Sequence, residues 1–173
     1  MSSIINEYKT LKQNIQVKSA ESHLNIKGYA AVYDSLDNDN DIIVHGAFTN
    51  SCTRANLPLL WQHEPKHPIG VINRLQEDER GLLMDADIIT SSIYGSEASA
   101  MLLSGAVDGL SVGFIIDDFY QRNDVRYITK ATLMEVSLVT FPANAGAVVT
   151  CVNTAEHRSC LEAIASLRAG LLT

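Results

Sequence analysis

The sequence predicts an antiparallel, barrel-like α+β domain. Segments with period-two hydrophobic alternation recur along most of the chain, from residues 23–33 to residues 147–152. Short polar turns rich in Asp, Asn and Gly separate them. Helical spacing is confined to two or three segments. Six to eight short strands with so few helices fit a barrel-like domain.

The 173 residues fit one domain, residues 1–173, long enough to bury a core. A hydrophobic content of 46% and a charged content of 19% describe a globular chain. The net charge of −7 argues against nucleic acid as the main partner, because phosphate binding needs clustered Lys and Arg. Cys52, Cys151 and Cys160 are odd in number and form no CxxC pair, which suits a reducing compartment. The first residues lack the pattern of a signal peptide, and no apolar run approaches the roughly 20 residues of a membrane span. A soluble, unsecreted protein with no membrane partner is expected.

Residues 1–14 are polar and read as a frayed arm or a first edge strand. In residues 23–33, Leu24, Ile26, Ala30 and Val32 share one face, so a half-buried strand is expected. Residues 34–41 form an acidic, Asn-rich loop. It lacks the central Gly and the final Glu of a calcium-binding EF-hand, so a solvated loop is expected. Residues 42–44 are a short apolar segment, and residues 48–54 suggest one or two turns of helix. Residues 57–62 are a strand that runs into His63, with Pro58 suited to its beginning. Residues 70–75 and 82–89 form an antiparallel pair around a charged turn, with Leu82, Met84, Ala86 and Ile88 on one parity. Ser91 or Ser92 caps a helix that starts near Ile93 and stops at Gly105. Residues 111–118 and 125–133 are strands. Residues 135–140 alternate, with Val136 and Leu138 on one side and Glu135, Ser137 and Val139 on the other. After a turn and a last short strand, residues 154–172 predict a terminal helix with the apolar stripe Cys160, Ile164, Leu167 and Leu171.

His63-Glu64-Pro65-Lys66-His67 matches the letters of the HExxH zinc motif. That motif works on a helix, where both histidines share one face. Pro65 between them and Pro68 after them oppose a helix. No metal or other cofactor is expected.

Three residues combine into a chemical constellation. Ser111 lies between Gly109 and Gly113, His63 closes a strand, and Glu135 is the one acid on an apolar strand and needs a partner there. A serine hydroxyl becomes a nucleophile when a base takes its proton and a third group orients the base. Taken alone, Ser111 reads first as a small residue at an ordinary strand start, and spacing by itself does not overturn that reading.

The surroundings of these residues add to the nucleophile reading. Gly28-Tyr29-Ala30-Ala31-Val32-Tyr33, Asp41-Ile42-Ile43-Val44-His45-Gly46-Ala47-Phe48 and Leu59-Leu60-Trp61-Gln62-His63 form a series with Pro68-Ile69-Gly70-Val71. Gly109-Leu110-Ser111-Val112-Gly113-Phe114 and Glu135-Val136-Ser137-Leu138-Val139-Thr140-Phe141-Pro142-Ala143-Asn144 continue it. In that order the series resembles the prohead (procapsid maturation) serine proteases of tailed bacteriophages, over about residues 24–150.

The resemblance implies a small closed, mostly antiparallel β-barrel surrounded by a few helices, as in the herpesvirus assembly proteases. It implies a serine endopeptidase that cuts the scaffolding segment from the major capsid protein, and itself, inside the assembling procapsid in the host bacterial cytoplasm. Ser111 matches the nucleophile, His63 the general base and Glu135 the acidic orienter. In the herpesvirus relatives a second histidine takes the third role, which makes His45 an alternative. Those relatives work as dimers, and the terminal helix offers a surface for a homodimer. The chain is short for such a protease, as a self-trimmed or a compact member would be. Three other readings remain: a catalytically silent capsid-assembly scaffold of the same fold, a metal-dependent hydrolase using His63 and His67, and Cys52 as a nucleophile paired with His63.

Overall fold

The computed structural model describes residues 23–54 and 56–153. The expected arm at residues 1–14 and the expected terminal helix at residues 154–172 lie outside these residues. The described chain runs β1 (His23–Val32), β2 (Asp41–Ile43), β3 (Pro58–Trp61), β4 (Glu64–Glu77), β5 (Gly81–Ile89), α1 (Ile93–Leu103), β6 (Gly109–Arg122), β7 (Val125–Val139) and β8 (Val149–Asn153). The strands form one sheet in the order β2-β7-β3-β4-β5-β1-β8, with β6 on β7.

Alternation builds the centre of the sheet. Leu82, Met84, Ala86 and Ile88 of β5 are all fully buried, as their shared parity requires. In β1 the alternation breaks at an irregularity between Tyr29 and Ala31, so that Ala30 and Ala31 are both buried and Tyr33, not Val32, turns inward. Asn25 is buried on the supposedly polar face because its amide donates to Asp85, Asp87 and the Ala86 carbonyl. α1 starts where its cap chemistry dictates: the Ser92 hydroxyl accepts from the Gly95 amide at 3.0 Å. No helix among the described residues is long and apolar enough to cross a membrane.

One local expectation is corrected. Residues 48–54 form successive turns rather than a helix, with Ser51 and Cys52 amides both reaching the Phe48 carbonyl. The Glu77 carboxylate and Leu133 hold this segment through Phe48, Thr49 and Arg54, so long-range bonds replace a helical ladder. The acidic loop at residues 34–41 is largely exposed, as expected, and uses two of its carboxylates structurally. Asp37 caps the Asp39 and Asp41 amides, and Asp41 makes a two-pronged pair with Arg126.

The expectation of a closed barrel is corrected too. The strand ladders form an open path. The β6 edge meets the segment before β8 only through the isolated bridge Gly109↔Val148 and its flanking bonds. Within the turn at residues 143–147, the Gly146 and Ala147 amides both bond to Asn144 rather than to β6.

β7 is the strand on which its neighbours converge. One of its edges carries β6 in antiparallel register, with Ser111 opposite Ser137 and Gly113 opposite Glu135. Its other edge carries β3 in parallel register, with Leu60 opposite Ser137 and Trp61 opposite Leu138. Three adjacent rows therefore bring β6, the end of β7 and the end of β3 together.

Candidate active site

His63 does not close β3. It is the second residue of the two-residue turn Gln62-His63 between β3 and β4, where Trp61 pairs with Glu64. Both turn residues have positive φ, 55° and 58°. This is the backbone sense of a tight hairpin. Neither residue is Gly or Asn, and the left-handed region costs an L-residue about 1–2 kcal/mol. Surrounding bonds hold the turn in place. The Gln62 amide donates to the Leu138 carbonyl, the Gln62 side chain makes two bonds with Thr140, and the His63 amide donates to Ser137 Oγ at 3.1 Å. The HExxH letters thus fall on a turn and the start of β4, not on a helix. His67 lies stacked on Tyr94, ring centroids 3.7 Å apart.

His63 Nδ1 lies 2.7 Å from Glu135 Oε1. The imidazole side chain is 44% exposed and the carboxylate side chain 12%. The hydrogen bond that Glu135 accepts from the ring holds the His63 pKa above the usual histidine range, against the opposing effect of partial burial. The partner expected for an acid on an apolar strand is therefore His63. His45 lies elsewhere, edge-on to Tyr33 at 5.5 Å. Cys52 is half-buried, and burial pushes its thiol up, away from the thiolate a nucleophile needs.

Ser111 sits inside β6, which begins at Gly109, two residues before the expected strand start. The strand continues through both glycines because each faces β7, as Gly109↔Val139 and Gly113↔Glu135. Ser111 and His63 line one cavity of about 370 Å³ with Leu110, Val112, Phe114, Ala143, Asn144 and Ala147. The two side chains make no hydrogen bond to each other among the described residues.

Gly113 has a steric reason to be glycine. A Cβ there would lie 2.3 Å from Glu135 Oε1 and 3.0 Å from its Cγ and Cδ. The obstructing group is a flexible side-chain end, so Gly113→Ala is expected to fold while pushing the carboxylate off His63. NMR titration of the His63 ring would then return its pKa toward the ordinary value of about 6.5. An unchanged titration would show that the carboxylate had not moved.

Sequence reasoning missed two residues here. Ser137 is fully buried and donates to Glu135 Oε2 at 2.7 Å while accepting the His63 amide. Gln62 braces the turn. The signal for Ser137 was its parity with Glu135. Gln62 had none, because its partners are 76 to 78 residues away in sequence.

The sequence model of the caudovirus prohead serine proteases matches residues 11–160. The prohead protease of Enterobacteria phage HK97 is 32% identical over 136 residues, which cover 75% of this chain and 60% of that protein. The chain therefore spans about three-fifths of the length of that relative. The fold is similar to that of the Kaposi's sarcoma herpesvirus protease in complex with a hexapeptide phosphonate inhibitor, with a TM-score of 0.57 and 16% identity over 83% of this chain and 77% of that one. It is also similar to the bacteriophage T4 capsid assembly protease, with a TM-score of 0.54 and 13% identity over 66% of this chain and 80% of that one. These likenesses show a herpesvirus-protease-like fold of many strands and few helices. By the extent of its sequence match, the chain belongs to the caudovirus prohead serine protease family.

Proposed function

We propose that the chain is a serine endopeptidase of procapsid maturation, in which Ser111 is the nucleophile, His63 the general base and Glu135 the orienting acid. The observation that carries this is the Glu135–His63 hydrogen bond at the wall of the cavity that Ser111 also lines. The carboxylate on Nδ1 favours the tautomer that carries its proton there, leaving Nε2 free to accept the Ser111 proton. As Ser111 Oγ attacks the scissile carbonyl, His63 becomes an imidazolium, and Glu135 stabilises that charge. His63 then returns the proton to the leaving amine, and a water molecule repeats the attack on the acyl-enzyme.

The developing oxyanion needs backbone donors. The Gly146 and Ala147 amides are committed within their own turn. The Ala143 and Asn144 amides make no bond among the described residues and border the cavity, so they are the donors we assign. The substrate is the major capsid protein with its scaffolding segment, as the family and the name of its HK97 relative suggest. The reaction then takes place inside the assembling procapsid in the host cytoplasm, and a homodimer is the proposed working form.

The test is to mix the purified chain with capsid protein carrying its scaffolding segment, and separately with a peptide phosphonate. Cleavage, together with a phosphonate adduct on Ser111 by mass spectrometry, is the expected result. Neither cleavage nor adduct, from folded protein, would identify a silent assembly scaffold instead.

A further inference from the structure

We propose that Ser137 is the positioning residue of this site: its one hydroxyl fixes the Glu135 carboxylate and the His63 backbone in a single arrangement by bonding to both. The inference rests on the reading of Ser111, His63 and Glu135 as nucleophile, base and orienter, and it assigns the residue on which their geometry depends.

Ser137 sits where the three rows cross. It faces Ser111 across the β6–β7 pairing and Leu60 across the β7–β3 pairing. It lies two residues from Glu135, so both side chains leave the same face of β7. Its side chain is fully buried, a placement that a hydroxyl tolerates only when bonded. Its proton goes to Glu135 Oε2 at 2.7 Å, and its lone pair takes the His63 amide at 3.1 Å.

Each bond removes a specific freedom. A glutamate carboxylate hangs on three rotatable bonds, and one contact, to His63 Nδ1, leaves it free to swing about that contact. The second contact, at Oε2, fixes the plane of the carboxylate. Gly113 leaves room for it from the neighbouring strand. On the other side, the His63 backbone is held at a φ of 58°, a conformation that persists only when its surroundings over-determine it. The Ser137 bond to the His63 amide is part of that restraint. One hydroxyl thereby ties the base and its orienter to the same point on β7.

A plain core serine that satisfies its hydroxyl on a nearby carboxylate would show the same two distances, so the test must read orientation rather than stability. The full chain carrying Ser111→Ala is used, so that the reading needs no catalysis. The His63 ring is titrated by NMR in this background with Ser137 present, and with Ser137→Ala, Ser137→Thr and Ser137→Cys. If Ser137 positions Glu135, its loss lets the carboxylate leave Nδ1, and in Ser137→Ala the His63 pKa falls toward the ordinary value. Ser137→Thr keeps the hydroxyl on a β-branched residue suited to a strand, and it retains the raised value. Ser137→Cys, a weaker donor of similar size, gives an intermediate fall, and it carries the same reading if Ser137→Ala does not fold.

An unchanged or higher His63 pKa in Ser137→Ala would overturn the proposal. A carboxylate that stayed in place without its donor would bind the imidazolium more strongly, not less. Equal falls in the Ala and Thr variants would assign the effect to packing and would overturn it as well. In the catalytically competent background, Ser137→Ala is expected to lower kcat about 10²-fold with KM unchanged, the order expected for a small misplacement of reacting groups. If the chain were a silent scaffold, this kinetic arm would have no signal while the titration still decided the role of Ser137.

Discussion

Ser111→Ala is expected to abolish cleavage of scaffold-bearing capsid protein, a loss on the order of 10⁶ in turnover by analogy with other nucleophile deletions. The fold should be indifferent to the change. Ser111 is buried in the third position of β6, where alanine fits the same backbone, and its hydroxyl has no hydrogen-bond partner among the described residues. Removing a hydroxyl without a partner leaves no other group unsatisfied. The expected result is therefore an unchanged melting temperature, unchanged titration of His63, and no product. A folded Ser111→Ala protein cleaving within tenfold of the wild-type rate would remove Ser111 from the mechanism.

Glu135→Gln is the second large effect, with an expected loss of about 10⁴ in kcat. The substitution keeps the shape of the side chain but presents one oxygen and one NH₂ group where two oxygens stood. Ser137 decides which way round they sit. Its lone pair already accepts the His63 amide, so its proton still seeks an acceptor, and the Gln oxygen stays on its side. The NH₂ group then faces His63 Nδ1 and forces it to act as an acceptor. The ring proton moves to Nε2, the atom that must take the proton of Ser111, and the base is disabled.

The pH profiles should move in a defined direction. In the native chain His63 is held above the usual histidine range, so activity, which needs the neutral ring, has its acid limb above about pH 6.5. With the carboxylate charge gone, partial burial and the new bond from the Gln NH₂ group both favour the neutral ring, and the residual activity of Glu135→Gln should have its acid limb at or below that value. Stability runs the opposite way. Because the folded pKa is raised, the protonated pair contributes fully below the unfolded value, and that contribution is lost as pH rises through the raised value. At a pH where His63 is neutral, as the proposed base must be, this ion pair no longer supports the fold. An acid limb that stayed in place in Glu135→Gln would mean that another group sets the His63 pKa.

The regular parts of the fold were legible in the sequence because they arise from local periodicity. The burial of Leu82, Met84, Ala86 and Ile88 and the Ser92 cap are consequences of a few adjacent residues. The departures have long-range causes. The irregularity in β1 that turns Tyr33 inward answers to pairing with β5, and the turns at residues 48–54 are held by Glu77 and Leu133. At the open seam between β6 and β8, the Gly146 and Ala147 amides bond to Asn144 rather than to β6.

The site divides in the same way. The need of Glu135 for a partner could be inferred from one strand, and the resemblance offered His63 as that partner; the parallel pairing of β3 with β7 is what brings the two together. The resemblance to prohead proteases named Ser111, His63 and Glu135. It carried no sign that His63 would occupy a strained turn, whereas the strand expected over residues 111–118 does hold Ser111. Gln62-His63 carries none of the Gly or Asn that announces such a turn, because its restraint comes from Ser137, Leu138 and Thr140.

The parallel placement of β3 against β7 also has a consequence in time. His63 and Glu135 are 72 residues apart, and nothing local brings them together. Contacts of such long range form late and slowly, since the intervening chain must be ordered before they can contribute. The β6–β7 hairpin supplies Ser111, Glu135 and Ser137 early, from adjacent sequence, but without a base. In the proposed triad, Ser111 therefore gains its base only when β3 docks on β7.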